Sequence, residues 1–441
     1  MSFKFLRFSI ISTIIFLINI LLLSKSLAQL SIVFPKERAI FQRNIENNGK
    51  IHISGYLDQF ADQIEARLVP RASGFGTQTD WQIIDSSLEG LSFTGFIEGN
   101  GGWYRLELRS VKDGIVTFFN AVERVGIGEV FIIAGQSNAQ GEGLANNAKG
   151  AVDDRVNAFS QDYFNHSTFL PLPLPENFEY GSFVQLRQNL NIGPFGYSPW
   201  AYGELGDLLV KKLNVPILFF NAAFTGTSSD NWFKSIKGDD TFHATTGEKI
   251  LKFFPYLTLK KTLNSYIKIL GLRAILWHQG EFDFNVSEAV YFDNIKKVID
   301  ETRFNTGRNV PWVISRVSRL FNTNFTQIIS AQNKLIAGVS NVWPGPATDD
   351  IQPLRPDGAH FSNTPTLAGL SALAIAWNNS LTNEFFRSIT PVSPDNIVEI
   401  KHDCIDQNSV RVRFDNIYTS YKWSNNNTNS QQILSSGEIS A

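Results

Sequence analysis

The chain has a single cysteine, Cys404, and a single methionine, the initiator. One thiol excludes an internal disulfide framework and any zinc site of the CxxC type, so stability must come from packing. There is no excess of either charge: 39 basic residues face 41 acidic ones, for a formal charge of −2. That balance argues against a nucleic-acid binder, which concentrates basic residues on one face. Only one long apolar run occurs, between Ile10 and Leu23. It follows Lys4 and Arg7 and leads into Ser26-Leu27-Ala28, the order of a basic n-region, an apolar h-region and a small-residue cleavage site. Residues 1–28 are therefore expected to form a secretory signal peptide. An uncleaved anchor is the competing reading, but the run falls short of the roughly 20 apolar residues that a span requires. The remaining chain is expected to be exported without stable membrane insertion, to the periplasm, the cell surface or the medium. Its sparing use of cysteine suits a bacterial protein.

What is abundant is apolar and aromatic. Hydrophobic residues make up 43% and charged residues 18%, with 36 phenylalanines, the balance of a globular chain long enough for more than one core. Residues 29–126 carry short alternating runs, including Lys50–Tyr56, Ile64–Val69 and Trp103–Leu108, separated by Gly and Asn clusters. This texture predicts an all-β sandwich of immunoglobulin-like type. It holds no catalytic constellation, and a supporting role is expected for it.

From residue 127 to 388 the texture changes. Near-continuous apolar runs at Glu129–Ala134, Pro216–Asn221, Arg273–Trp277 and Val310–Ile314 alternate with helical patterns at 201–213, 256–270, 287–301 and 327–337. Strands that are apolar on both faces and separated by helices predict a parallel sheet covered on both sides, with ligands bound at the carboxyl ends of the strands. Residues 389–441 return to strand-like pieces such as Ser409–Phe414, too few for an independent sandwich.

The polar residues of interest fall at those strand ends. Gly135-Gln136-Ser137-Asn138 follows the first strand and presents a serine on a tight turn. Thr225-Gly226-Thr227 follows the second, where glycine lets a backbone N–H approach a ligand. Trp277-His278-Gln279-Gly280-Glu281 ends the third. Asp357-Gly358-Ala359-His360 precedes a last helical pattern near 364–377. Each alone is a common loop sequence; together, in this order, they are not. The serine lacks the G-x-S-x-G elbow of α/β-hydrolases, which disfavours that fold. Asp349 and Asp350 are expected to be structural, His278 to pack beside Gln279, and Trp232 either to bound a pocket or to join the core.

The four segments resemble, in order, the four blocks of the SGNH hydrolase superfamily. The forms Gly-Gln-Ser-Asn, Trp-His-Gln-Gly-Glu and Asp-Gly-x-His are those of its sialate O-acetylesterase branch, similar to carbohydrate esterase family six. The resemblance spans about residues 127–385. It implies a three-layer, flavodoxin-like α/β hydrolase domain and a carbohydrate O-acetylesterase acting on acetylated glycans; no cofactor or metal is expected, since the six histidines include no HExxH and there is no Cys-rich ligand set. By need and by resemblance, Ser137 is the expected nucleophile, His360 its base and Asp357 the carboxylate that orients the imidazole. The expected oxyanion donors are the N–H groups of Ser137 and Gly226 and the amide of Gln279, in place of the superfamily's usual asparagine. Two positions depart from the branch. Thr225-Gly226 stands where Gly-Gly is frequent, and Phe282, between Glu281 and Asp283, stands where Ser or Asn is frequent. The alternative is a carbohydrate-binding or adhesion protein that has lost activity, against which the joint retention of Ser137, Asp357 and His360 argues.

Overall fold

The computed structural model describes residues 30–88, 90–142, 147–165, 170–172, 174, 182–353, 355–364, 366, 368–395, 400–406, 409–414 and 431–435. The expected signal peptide lies outside the described residues.

The first part is built from strands. β1 (Leu30–Phe34), β3 (Asn48–Leu57) and β6 (Ser92–Asn100) form one antiparallel sheet with β3 in the middle. Between them in the chain lie β2 (Ile40–Gln42), β4 (Gln63–Pro70) and β5 (Gln82–Asp85). β4 and β5 join β7 (Gly102–Lys112) and the first half of β8 (Ile115–Gly135) in a second sheet. Alternation sets which side is buried. On β4, Ile64, Ala66 and Leu68 turn inward and share one core with Ile51, Ile53, Ile97, Leu106 and Leu108. The outward residues pair across strands: Glu65 stands opposite Arg109 and Arg67 opposite Glu107, with carboxylate–guanidinium distances of 2.5 and 2.6 Å. Both arginines also lie over the ring of Trp81.

β8 does not stop at residue 126. It runs 21 residues, pairing with β7 in its first half and with parallel neighbours in its second. The second sheet is thereby continuous with an α/β sheet. That sheet has strand order β10 (Phe183–Gln185), β9 (Val156–Phe159), β11 (Ile217–Asn221), β8, β12 (Ala274–His278), β13 (Trp312–Arg316) and β14 (Val342–Ala347). Only the β10–β9 pair is antiparallel. Without the β9–β10 edge, the parallel strands stand in the order 2-1-3-4-5, which reverses direction between β8 and β12.

The strands are apolar throughout because both faces are covered. On β8, Phe131 and Ile133 pack towards helices α2 (Tyr202–Leu213) and α7 (Gly369–Ser380), while Val130, Ile132 and Ala134 face the opposite core. That second core holds side chains of α4 (Tyr256–Leu270), α5 (Glu288–Thr306) and α6 (Thr326–Gly338). Two shorter helices, α3 (Ser229–Lys237) and α8 (Asn383–Ser388), and a four-residue turn of helix, α1 (Ser137–Gln140), complete the set. Among the described residues no helix is long and apolar enough to cross a membrane. Strands β15 (Ile400–Asp406), β16 (Ser409–Phe414) and β17 (Gln431–Ser435) form a separate antiparallel sheet.

The base of β8 is fixed by a buried ion cluster. Glu129 is fully buried; it receives Arg273 at 2.5 Å, Arg43 at 2.7 Å and Gln42 at 3.0 Å. Burial alone would raise its pKa, but the two guanidinium charges outweigh this and hold it below the ordinary value. Gln42 also accepts the N–H of Val130, so β2 is bonded to β8 through side chains as well as backbone. Glu129→Ala is expected to destabilise the protein by about 3–5 kcal/mol, because Arg273 would be left buried without its carboxylate. Urea unfolding of wild type and variant measures this, and a loss under 1 kcal/mol would contradict it.

Candidate active site

The turn after β8 carries Ser137. Gly135 has φ 133°, and a Cβ there would sit 2.0 Å from the carbonyl oxygen of His278 on the neighbouring strand. Only glycine permits so close a crossing. Gln136 then donates its N–H to that same carbonyl at 3.1 Å, and Ser137 opens α1. The serine is 2% exposed.

The second segment is bonded onto this turn. Phe224 donates to the carbonyl of Gly135 at 2.9 Å, Thr225 donates to Gln140 Oε1 at 2.6 Å, and Asn221 donates to the carbonyl of Ala139 at 2.9 Å. The chain is thereby held on the serine's turn up to Thr225, the residue before Gly226. The φ of Gly226 is 61°, and a Cβ would meet His243 Nε2 at 2.1 Å, so the departure from Gly-Gly at Thr225 leaves the necessary glycine in place. Neither Ser137 nor Gly226 donates its N–H to an acceptor among the described residues.

The fourth segment completes a hydrogen-bonded line. His360 Nε2 is 2.9 Å from Ser137 Oγ, and His360 Nδ1 is 2.7 Å from Asp357 Oδ2. The other carboxylate oxygen accepts the N–H groups of Ala359 at 2.8 Å and His360 at 2.7 Å. Donation from Nδ1 to the carboxylate leaves Nε2 free to accept the serine proton. Burial alone would lower the His360 pKa, but the hydrogen bond and charge of Asp357 outweigh it, aided by Glu142 and Glu281, and the value lies above the ordinary one. Asp357 is held well below the usual carboxylate range: burial opposes this, and hydrogen bonds from His360 and from the two backbone N–H groups prevail.

The third segment carries Gln279. Gln279 is fully buried, and its amide donates to Gln136 Oε1 at 3.2 Å and to the carboxylate of Asp283. Both amide hydrogens of Gln279 are thus engaged within the protein in this structure. The demand comes from Asp283, which is itself buried and also accepts from the N–H and hydroxyl of Ser229 at the start of α3. Burial raises the Asp283 pKa to about 6 against the pull of those donors.

Asn138 and Glu281 have roles that their motifs did not disclose. Asn138 Nδ2 donates to the carbonyl of Ala359 at 2.9 Å and to Glu281 Oε1 at 2.8 Å, while its Oδ1 accepts the N–H of Phe361 at 3.1 Å. It thus holds both peptide groups flanking His360. Glu281 in turn lies 3.4 Å from His278 Nε2 and 3.8 Å from Arg355. Burial raises its pKa, but those partners outweigh the effect and depress it. His278 packs in the interior as expected. Asp349 is structural, accepting the N–H groups of Ser318 at 2.8 Å and Arg319 at 2.9 Å, and Asp350 is on the surface. Trp232 belongs to the core, edge-on to Trp277. Among the described residues no group of three or more His, Cys, Asp or Glu could hold a metal ion.

A serine, a histidine and a carboxylate aligned at the strand ends of a parallel sheet suit a carboxylic ester hydrolase, and the chain is an enzyme of that class. The family model described as carbohydrate esterase, sialic acid-specific acetylesterase, matches residues 127–374, and the chain belongs to this family. Among solved structures it is similar to a carbohydrate acetylesterase from Xanthomonas citri, at 13% identity over 88% of this chain and 82% of that one, with a TM-score of 0.48. It is also similar to a protein from Arabidopsis thaliana, at 17% identity over 59% and 98% of the two chains, TM-score 0.38. A family two carbohydrate esterase from Clostridium thermocellum, solved with cellohexaose, shows 10% identity over 76% and 93%, TM-score 0.31. No curated protein matches the chain at a significant level.

Asn138→Ala is expected to lower kcat by on the order of 10²-fold while changing KM far less, since His360 would lose the brace on both sides of its peptide. Steady-state kinetics on an aryl acetate checks this; a change confined to KM would show that Asn138 acts on binding instead.

Proposed function

We propose that the protein is an exported carbohydrate O-acetylesterase that cleaves acetyl esters from sugars through an acetyl-serine intermediate. The observation that carries this reading is the continuous line from Ser137 Oγ through His360 to Asp357, at 2.9 and 2.7 Å. Ser137 Oγ attacks the ester carbonyl carbon as His360 Nε2 takes its proton. The carbonyl oxygen becomes an oxyanion and is met by the N–H groups of Ser137 and Gly226. Collapse of this intermediate breaks the bond to the sugar oxygen, which receives the proton from His360. A water then attacks the acetyl-serine with His360 again as base; acetate leaves and the serine is restored. Asp357 fixes the tautomer and stabilises the imidazolium, without itself being protonated.

The same reading takes 127–388 as a three-layer, flavodoxin-like SGNH domain, residues 29–126 as an immunoglobulin-like sandwich that supports it, and 389–441 as an accessory β-rich segment. It takes 1–28 as a signal peptide removed on export. Support comes from the strand order, the two-sheet packing of the first part and the run from Ile10 to Leu23. Sequencing the amino terminus of protein recovered from the medium or periplasm checks export, with Gln29 the expected first residue.

Ser137→Ala is expected to abolish acetate release from acetylated sugars in a folded protein; near wild-type turnover would remove Ser137 as nucleophile. The pH dependence of kcat/KM supplies a second test. His360 must be neutral to act as base, and Asp357 holds its pKa above the ordinary value of about 6.5, so activity should rise with pH through a single limb displaced above that value. Asp357→Asn removes the raising influence. The limb should then move to lower pH and the plateau fall by about 10⁴-fold. An unchanged profile in that variant would reject Asp357 as the orienting acid.

A further inference from the structure

Between α3 and α4 the chain makes a short hairpin, Thr241–Phe242 paired with Lys249–Ile250, and His243 opens the loop at its tip. The imidazole is 8% exposed. A Cβ built on Gly226 would lie 2.1, 2.2 and 2.6 Å from its Nε2, Cε1 and Cδ2. An approach along the ring edge would leave the two carbons much farther away than the nitrogen between them. Three such similar distances mean that the α carbon of Gly226 meets the face of the ring. His243 lies flat on the glycine, in the space that any side chain at 226 would need.

The ring is held in that plane. Its Nδ1 accepts the N–H groups of Thr245 and Thr246 at 3.4 and 3.3 Å, which puts the ring proton on Nε2. Burial keeps the His243 pKa below its ordinary value, against the charges of Glu142 and Glu248, and so favours the neutral imidazole that this arrangement needs. The loop is closed by its own backbone: His243 donates to the carbonyl of Glu248 and accepts from Gly247, both at 2.8 Å. Ala244, the next residue, donates to the carbonyl of Gly226 at 2.8 Å. On the other side Asn231, which caps α3, donates to the carbonyl of Phe242 at 3.0 Å. The hairpin is therefore fixed to α3 below and to Gly226 above.

Folding alone does not ask for a histidine here. Its Nε2 is buried and finds no hydrogen-bond partner among the described residues, an unfavourable state that an apolar side chain would avoid. What the imidazole adds is a flat surface whose plane is set by the acceptor at Nδ1. Gly226, at φ 61°, has no side chain to anchor it. Its orientation is instead set by its neighbours: Thr225 donates to Gln140, the Gly226 carbonyl accepts from Ala244, and the ring covers the α carbon between them.

We propose that His243 is a positioning residue of the oxyanion site, holding Gly226 with its N–H turned towards the ester oxygen. His243 bonds to no reacting atom; it acts through the glycine. The inference rests on the esterase reading above and adds a residue that lies in none of the four strand-end segments. A donor aimed in advance at a developing charge stabilises the transition state more than the ground state, so its misalignment falls on kcat.

The test compares an aryl acetate with its thiono analogue, in which sulfur replaces the carbonyl oxygen. Sulfur accepts hydrogen bonds weakly, so a well-aimed oxyanion donor favours the oxygen ester, and the ratio of the two kcat values reports its alignment. His243→Asn keeps a side-chain acceptor for the loop N–H groups but has no ring to lay on Gly226. It should lower kcat on the oxygen ester about tenfold, with KM and the thiono rate changing by about twofold at most, so that the ratio falls about tenfold. The thiono rate also shows that the variant is folded. His243→Phe restores a flat ring without the acceptor and should recover part of the ratio. An unchanged ratio in His243→Asn, an equal loss on both esters, an effect confined to KM, or a Phe variant no better than Asn would each overturn the proposal. Wild-type protein inert on both esters would reject the esterase reading itself, a failure seen before any variant is compared.

Discussion

A single 21-residue strand, Ile115–Gly135, is the constraint on which the other parts depend. Its first half closes the N-terminal sheet and its second half is the centre of the α/β sheet, so the two share a backbone as well as an interface, in which Arg38, Trp103 and Arg124 all meet Asp154. The buried cluster of Glu129, Arg273, Arg43 and Gln42 fixes the strand at the crossing, and Gly135 sets its exit. Ser137 then stands two residues past the strand end, where the direction of the sheet reverses between β8 and β12. The remaining active-site segments arrive from β11, β12 and the chain before α7, each bonded to that turn.

Behind the serine, histidine and carboxylate lies a layer of buried polar groups. Asn138, Glu281, His278 and Arg355 form one connected set, and Gln136, Gln279 and Asp283 another. Burying so many polar atoms is costly, and several of these, including both ring nitrogens of His278 and Arg355 Nε, are buried without a hydrogen bond among the described residues. The first set reaches His360 through the peptides on either side of it. The second anchors the start of α3 through Ser229.

The sequence revealed the parallel strands because burial on both faces leaves near-continuous apolar runs, as at Glu129–Ala134 and Pro216–Asn221. It also pointed to Ser137, since a polar residue immediately after such a run lies at the carboxyl edge; Asp357 and His360 follow no such run and are marked instead by their Asp-x-x-His spacing and by resemblance. β14 was hidden: Val342–Ala347 contains Pro344, Gly345 and Pro346, and it forms a strand only because it lies at the outer edge of the sheet, where a missing N–H is tolerated. α3 was hidden because it is short, though Ser228 and Asn231 cap it reciprocally. The partners of Gln279 could not be read at all. Whether its amide faces substrate or protein depends on Gln136, 143 positions away, and on a buried aspartate four residues on that competes for the same hydrogens. The braces that Asn138 applies to Ala359 and Phe361 are likewise set by contacts across more than two hundred positions.

The unbroken course of β8 has a mechanical meaning. Where two parts of a protein meet through a loop, the loop absorbs a displacement of either one. Here tension applied to the N-terminal sheet travels along one covalent, hydrogen-bonded element to the residue that precedes the nucleophile's turn. An extended strand is the stiffest form a backbone takes under axial load, and this one is clamped laterally at Glu129. A load on the β region would therefore be passed towards Gly135 along this one strand, whose pairing with β7 shifts register at two places on the way.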